Sequence, residues 1–212
     1  MAKLLILCEY GTLLGGERSI LATLDDVQQA GFDVTFACPP NGPLSDELKY
    51  RQVPQVGWTP FDHAGARQPL ATLREQLAGL LQRENPDLLH ANSLSMARVS
   101  GPMVRDLRVP SIGHLRDIVG LSQQAVTDVN YHDRLIAVSG AAREYHIAQG
   151  IDADRIAVCH NGVDLEQFRP VPATGYLHRE LGIAMDARLI TTIGQIGLRK
   201  ATDVALAAFR AV

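Results

Sequence analysis

The chain has 212 residues, is 46% hydrophobic and carries a formal net charge of -3, enough apolar material for one sizeable core and part of a second. It has no dense basic run, which excludes a nucleic-acid surface as its main purpose and points to small-molecule partners. No apolar stretch approaches the ~20 residues of a membrane span, and Met1 to Cys8 is a strand-length run without a basic leader, so a cytoplasmic protein is predicted.

The first predicted strand is Lys3 to Cys8, followed by a loop from Glu9 to Gly16. Ile20, Leu21, Leu24 and Val27 then share one helical face, with Gly31 as its cap. Strands are predicted at Asp33 to Cys38 and Val53 to Trp58, before a leucine stripe at Leu70, Leu73, Leu77, Leu80 and Leu81 that Asn85-Pro86 closes. After a strand at Asp87 to Ala91, the helical pattern from Ser93 to Leu107 is interrupted by Gly101-Pro102, where a kink is expected. Strands follow at Ser111 to His114, Arg134 to Val138 and Arg155 to Cys159, and Ser139 is the predicted N-cap of a helix from Gly140 to Gln149. This alternation predicts an α/β fold, a Rossmann-like parallel sheet with helices on both faces. Cys8, Cys38 and Cys159 each close an apolar run without metal-ligand spacing, and are expected to be reduced, buried thiols.

Residues 1–170 are therefore assigned to one complete domain, 171–187 to a proline-bearing linker, and 188–212 to the opening of a second domain. The last unit holds a predicted strand, Arg188 to Ile193, and a helix from Lys200 onward. One strand and one helix cannot bury a core, so this truncated second domain is also a predicted surface for self-association.

Chemistry is sought at the carboxyl edge of the sheet, where open α/β sheets bind ligands. Gly15-Gly16 precedes a helix start, whose free amides attract anions; Glu17 would repel a phosphate there and Arg18 attract it. The spacing is not Gly-x-Gly-x-x-Gly, which counts against a nicotinamide or flavin enzyme. His114 ends its strand and is followed by Arg116 and Asp117. Asn161-Gly162 leaves the last strand as a pair that tolerates positive φ, so a sharp turn is expected. Ser139 offers a hydroxyl at a helix start facing the same edge. His63, His132, His146 and His178 read as surface residues, His90 and His160 as strand ends near the crevice, and Glu17 with Asp25 as a solvated face.

Asn161-Gly162-Val163-Asp164, taken with Ala137-Val138-Ser139, Gly15-Gly16 and His114, resembles the family 4 glycosyltransferases of the GT-B fold, over nearly the whole chain. The resemblance implies retaining transfer of a sugar from a nucleoside-diphosphate-sugar donor, with no cofactor beyond that substrate and no metal. It implies that His114 faces the sugar and that the Gly15-Gly16 loop lies beside donor diphosphate and acceptor. Asn161, Gly162 and Asp164 close the far side, although Asn-Gly-Val-Asp serves turn geometry equally well. In Gly194 to Lys200, Lys200 matches a diphosphate-binding position; Gln195 stands where many members have arginine, and Arg199 is the available substitute. The family's paired glutamates would fall beyond Val212, so the chain alone is expected to be inactive. A GT-B sugar-nucleotide epimerase and a catalytically inert GT-B scaffold are the alternatives. Relatives that act on lipid-linked acceptors add a sparse candidate membrane patch at Lys49, Tyr50, Arg51 and Trp58.

Overall fold

Leu5 and Leu7 join one hydrophobic cluster while Leu4, Ile6 and Cys8 join another, as a strand buried on both faces requires. That strand, β1 (Ala2–Leu7), lies inside a wholly parallel sheet with β2 (Phe32–Cys38), β3 (Gln55–Gly57), β4 (Leu88–Ala91), β5 (Ser111–Leu115), β6 (Arg134–Ala137) and β7 (Ile156–Val158). The order is β3-β2-β1-β4-β5-β6-β7, so the predicted α/β architecture is the one observed. The computed structural model describes residues 1–194 and 200–210. It divides into two compact units, Met1–Val163 and Asp164–Val212.

Seven helices complete the first unit: α1 (Gly15–Ala22), α2 (Leu24–Gln29), α3 (Pro43–Tyr50), α4 (Leu70–Glu84), α5 (Leu94–Leu107), α6 (Gln123–Val129) and α7 (Gly140–Ala148). The first three contribute Ile20, Leu21, Leu24, Leu44 and Leu48 to one core, whereas α4 to α7 build the other with residues such as Leu77, Val99, Val129 and Ala142. The single helix expected between β1 and β2 is two, because Thr23 turns its hydroxyl back onto the Ile20 carbonyl at 2.9 Å and breaks the run.

The predicted interruption at Gly101-Pro102 leaves α5 continuous. Pro102 has no N–H to give the Arg98 carbonyl, and Arg74 Nη2 donates to that carbonyl instead, at 3.2 Å. The same Arg74 pairs with the fully buried Asp128 at 2.6 Å, and Gln124 donates to the other carboxylate oxygen at 2.9 Å. Removing one partner from a buried pair typically costs about 3–5 kcal/mol, so this pair ties α4 firmly to α6. Gly101 lets α6 close on α5: a Cβ there would lie 1.8 Å from the Asp128 carbonyl oxygen.

The second unit contains α8 (Tyr176–Leu181) and α9 (Thr202–Arg210). The strand expected at Arg188 to Ile193 does not form: those residues are exposed and belong to no strand. A strand is stable only where a neighbour satisfies its backbone groups, and among the described residues of this unit none does. Of the four residues of the candidate membrane patch, Trp58 is not on the surface but buried in the core at 5% exposure, while Lys49 and Arg51 pair with Asp46 and Glu47 and Tyr50 is exposed. No described helix is long and apolar enough to cross a membrane.

Gly101→Ala is expected to destabilise the first unit by about 3 kcal/mol, since backbone rather than a flexible side chain blocks the new methyl. Urea unfolding followed by circular dichroism measures it; an unchanged midpoint would show that α5 and α6 are not in this close contact.

Candidate functional site

β1 leads through α1 to its neighbour β2, and β4 leads through α5 to β5 on the other side. The carboxyl ends of β1 and β4 therefore border the switch point where open sheets part to form a crevice. Asn92, immediately after β4, is 3% exposed and organises this place. Arg116 Nη2 donates to its Oδ1 at 2.7 Å and Arg116 Nε donates to its main-chain oxygen at 3.0 Å. The Asn92 amide in turn donates to the Gly16 carbonyl at 3.3 Å.

Arg116 Nη1 continues to Asn161 Oδ1 at 3.4 Å, and the Ser19 hydroxyl donates to the same oxygen at 2.8 Å. A Cβ on Gly16 would lie 3.6 Å from the Arg116 side chain, so the guanidinium stem runs directly beneath the start of α1. Because α1 begins at Gly15, its first amides have no intrahelical acceptors. The expected meeting of Gly16 with Asn161 along one rim, of which His114 is the third expected member, is thus present, made through Asn92 and Arg116. The expected sharp turn is not: neither Asn161 nor Gly162 has positive φ. Cys159 N still donates to the Ala137 carbonyl at 2.9 Å, which carries the chain straight out of β7.

His114 lies below the rim, on the sheet face, at 7% exposure. Its ring stacks on His90, with centroids 5.5 Å apart and His90 Nε2 at 3.3 Å from His114 Nδ1. Burial, with the Arg116 charge second, pushes His90 down to about 4 and His114 to about 3. Both rings are neutral at physiological pH, and His114 Nε2 is left without a protein partner. A groove of about 290 Å³ brings His90, His114, Arg116, Asn161 and Gly162 together against apolar residues such as Ile112 and Ile136.

A second cavity, about 490 Å³, opens at the same edge between α4, α5 and the loop after β5. Glu9 forms its floor, paired with Arg67 Nη1 at 2.5 Å and accepting from Ser93 Oγ at 3.2 Å. Arg67 Nη2 also donates to Ser95 Oγ at 2.6 Å. Asn92, Glu9 and Arg67 were not among the predicted site residues. For Asn92 and Glu9 the signal was available: each is a polar residue following an apolar strand at the ligand-binding edge.

Other predicted residues fall elsewhere. Ser139 accepts from Ala142 N at 3.1 Å, capping α7, and lines neither cavity. Asp164 and Lys200 belong to the second unit; Asp164 Oδ1 accepts from Glu166 N at 2.9 Å and Gln167 N at 3.0 Å. Gln195 and Arg199 lie outside the described residues. His132 and His146 are fully buried rather than on the surface, because each ring has a main-chain acceptor at 2.9 Å, Ala97 for His132 and Asp117 for His146. Glu17 is also buried, held by the Leu14 amide at 3.2 Å. Cys159, expected to be buried, is exposed where β7 leaves the sheet.

The model of Glycosyltransferase Family 4 matches residues 14–167. The chain is similar to D-inositol 3-phosphate glycosyltransferases from Thermobispora bispora, 38% identical over 89 residues, 42% of this chain and 20% of the relative, and from Streptomyces scabiei, 33% identical over 128 residues, 60% and 27%. Among solved structures it resembles Anabaena HepE in complex with UDP-glucose, at TM-score 0.65 and 22% identity over 86% of this chain and 50% of HepE. The chain thus spans about half the length of that solved structure, and the aligned segments cover roughly a quarter or less of the curated relatives.

The buried imidazoles give a pH signature. Their folded values lie below the unfolded value of about 6.5, so the unfolded chain binds more protons between about 4 and 6.5, and stability falls as the pH drops through that window. Each imidazole accounts for on the order of 3 kcal/mol of that loss. His114→Asn is expected to flatten the decline in unfolding free energy from pH 6.5 to 4; an unchanged slope would contradict a neutral buried pair.

Proposed function

Since the chain belongs to glycosyltransferase family 4, we propose that it supplies one wall of an enzyme that transfers a sugar from a nucleoside-diphosphate donor to an acceptor, with retention at the anomeric carbon. The observation that carries this reading is the Arg116 guanidinium, fixed by Asn92 beneath the first turn of α1. As the bond from sugar to diphosphate breaks, negative charge grows on the leaving oxygens. A preorganised cation and free helix amides stabilise such charge without reorganising. Burial lowers the Arg116 value from its ordinary one, yet an arginine starts so high that it remains charged.

His114 is too weak a base at about 3 to take a proton from the acceptor hydroxyl. In this reading the diphosphate oxygens take that proton as the new glycosidic bond forms, and His114 Nε2 serves as a hydrogen-bonding partner for the transferred sugar. Lys200, in the second unit, is the proposed further cation for the donor diphosphate. The chain alone is proposed to turn over poorly. HepE is solved with UDP-glucose, which supports a nucleotide sugar as donor, and the curated relatives are named for an inositol phosphate, which supports a ring polyol as acceptor. The cavity floored by Glu9, beside the crevice, is the proposed acceptor seat.

In the full-length enzyme, Arg116→Ala is expected to lower kcat/KM for the nucleotide sugar by about 100-fold, with Arg116→Lys recovering part of it. His114→Ala should also lower the rate, and wild-type turnover in that variant would remove His114 from the mechanism. Product analysis separates transfer from epimerisation, which would return an altered nucleotide sugar without an acceptor.

A further inference from the structure

At the start of α5, the groups that could hold an anion are already engaged by a carboxylate of the protein itself. Ser93 accepts from Met96 N at 3.1 Å as the helix cap, and its hydroxyl donates to Glu9 Oε2 at 3.2 Å. Arg67 holds the other oxygen, Oε1, at 2.5 Å and reaches Ser95 Oγ at 2.6 Å. A helix start, a guanidinium and two hydroxyls are the usual makings of a phosphate seat. Here Glu9 occupies it, at 8% exposure, where little water screens its charge.

The surroundings leave that sign in place. Asp117 and Arg98, of opposite charge, also line the cavity, and both are exposed to solvent, which screens each of them, so the buried Glu9 carboxylate is the less screened charge. The neighbouring Tyr10 hydroxyl is pushed up by burial first and then by the charges of Glu9, Glu17 and Asp117, with Arg67 opposing. Leu73, Leu94 and Val119 provide an apolar wall, and the Gln68 amide lies among the polar lining residues. Carboxylate, amide and hydroxyl groups opposite an apolar wall suit a ring that has hydroxyls at its edge and C–H groups on its face.

We propose that Glu9, clamped by Arg67, is a specificity-determining residue: it fills the anion seat of the acceptor cavity, so the cavity takes an uncharged polyol ring and rejects a phosphorylated one. This inference rests on the glycosyltransferase reading and narrows its acceptor. It separates this chain from an acceptor of the kind its curated relatives are named for.

Methyl resonances of Leu94, Val99 and Leu121, which line the cavity, report binding directly. The protein is titrated with myo-inositol, methyl glucoside, inositol 3-phosphate and inorganic phosphate. The wild type is expected to bind an uncharged ring at least tenfold more tightly than inositol 3-phosphate, and to show no phosphate response at these methyls. Glu9→Gln should bring the two ring affinities within about threefold and create a phosphate response. A wild type that favours the phosphorylated ring, a Glu9→Gln ratio equal to the wild-type ratio, or no ring shifting these methyls would each overturn the proposal. The wild-type ratio stands as a test even if the variant folds badly. Nucleotide-sugar turnover by the full-length protein, measured in parallel, tells the two levels apart: turnover with the wrong ring preference sinks only the role of Glu9, and no turnover sinks the reading beneath it.

Discussion

The crevice depends on one clamp, the pair of hydrogen bonds by which Arg116 grips both the side chain and the main chain of Asn92. Each residue directly follows a strand, β4 for Asn92 and β5 for Arg116, so parallel pairing fixes the distance between them before any side chain is placed. A charge-assisted bond at 2.7 Å then holds a long, flexible side chain in a single geometry. Free arginine side chains lose substantial rotamer entropy on being ordered, and here that loss is met at folding, ahead of any ligand. Gly16 and Asn161 are fastened to the same two residues, so the loops after β1, β4, β5 and β7 share one anchoring point.

Two cavities flank this anchor and differ in character. The groove on one sheet face is largely apolar, with a pair of neutral imidazoles beneath the arginine; the cavity toward α4 and α5 is lined by carboxylates, guanidiniums and hydroxyls. Their separation follows from the sheet, whose two faces are packed by different helices. Rigidity on the α5 side comes from Asp128 and Arg74, which hold α4, α5 and α6 together beside the cavity that Glu9 lines. A site whose supporting elements are locked by packing keeps its geometry to within the tolerance that catalysis needs.

Most of this architecture was legible in the sequence, because the inner strands are buried and announce themselves as apolar runs, and all seven of the first unit lie where they were expected. What failed had tertiary causes. Arg188 to Ile193 has strand composition but no described neighbour to pair with. Pro102 should disturb α5, and a distant arginine supplies the missing donor. His132 and His146 looked like surface residues because no local pattern reveals that a carbonyl waits for each ring. At the site, Gly16, Arg116 and Asn161 were legible from their places at strand ends together with the family resemblance. Asn92 has such a place too, after β4, but its clamping role was not legible, since it arises from contacts reaching across 24 and 76 residues of chain.

The central claim is that the Arg116 clamp marks the donor-facing wall, and a crystal structure of the full-length protein with a bound nucleoside-diphosphate sugar tests it most directly. The account predicts diphosphate or sugar oxygens within hydrogen-bonding distance of the Arg116 guanidinium or the Gly15 and Gly16 amides. A donor bound elsewhere, with Arg116 still engaged solely by Asn92 and Asn161, would contradict it.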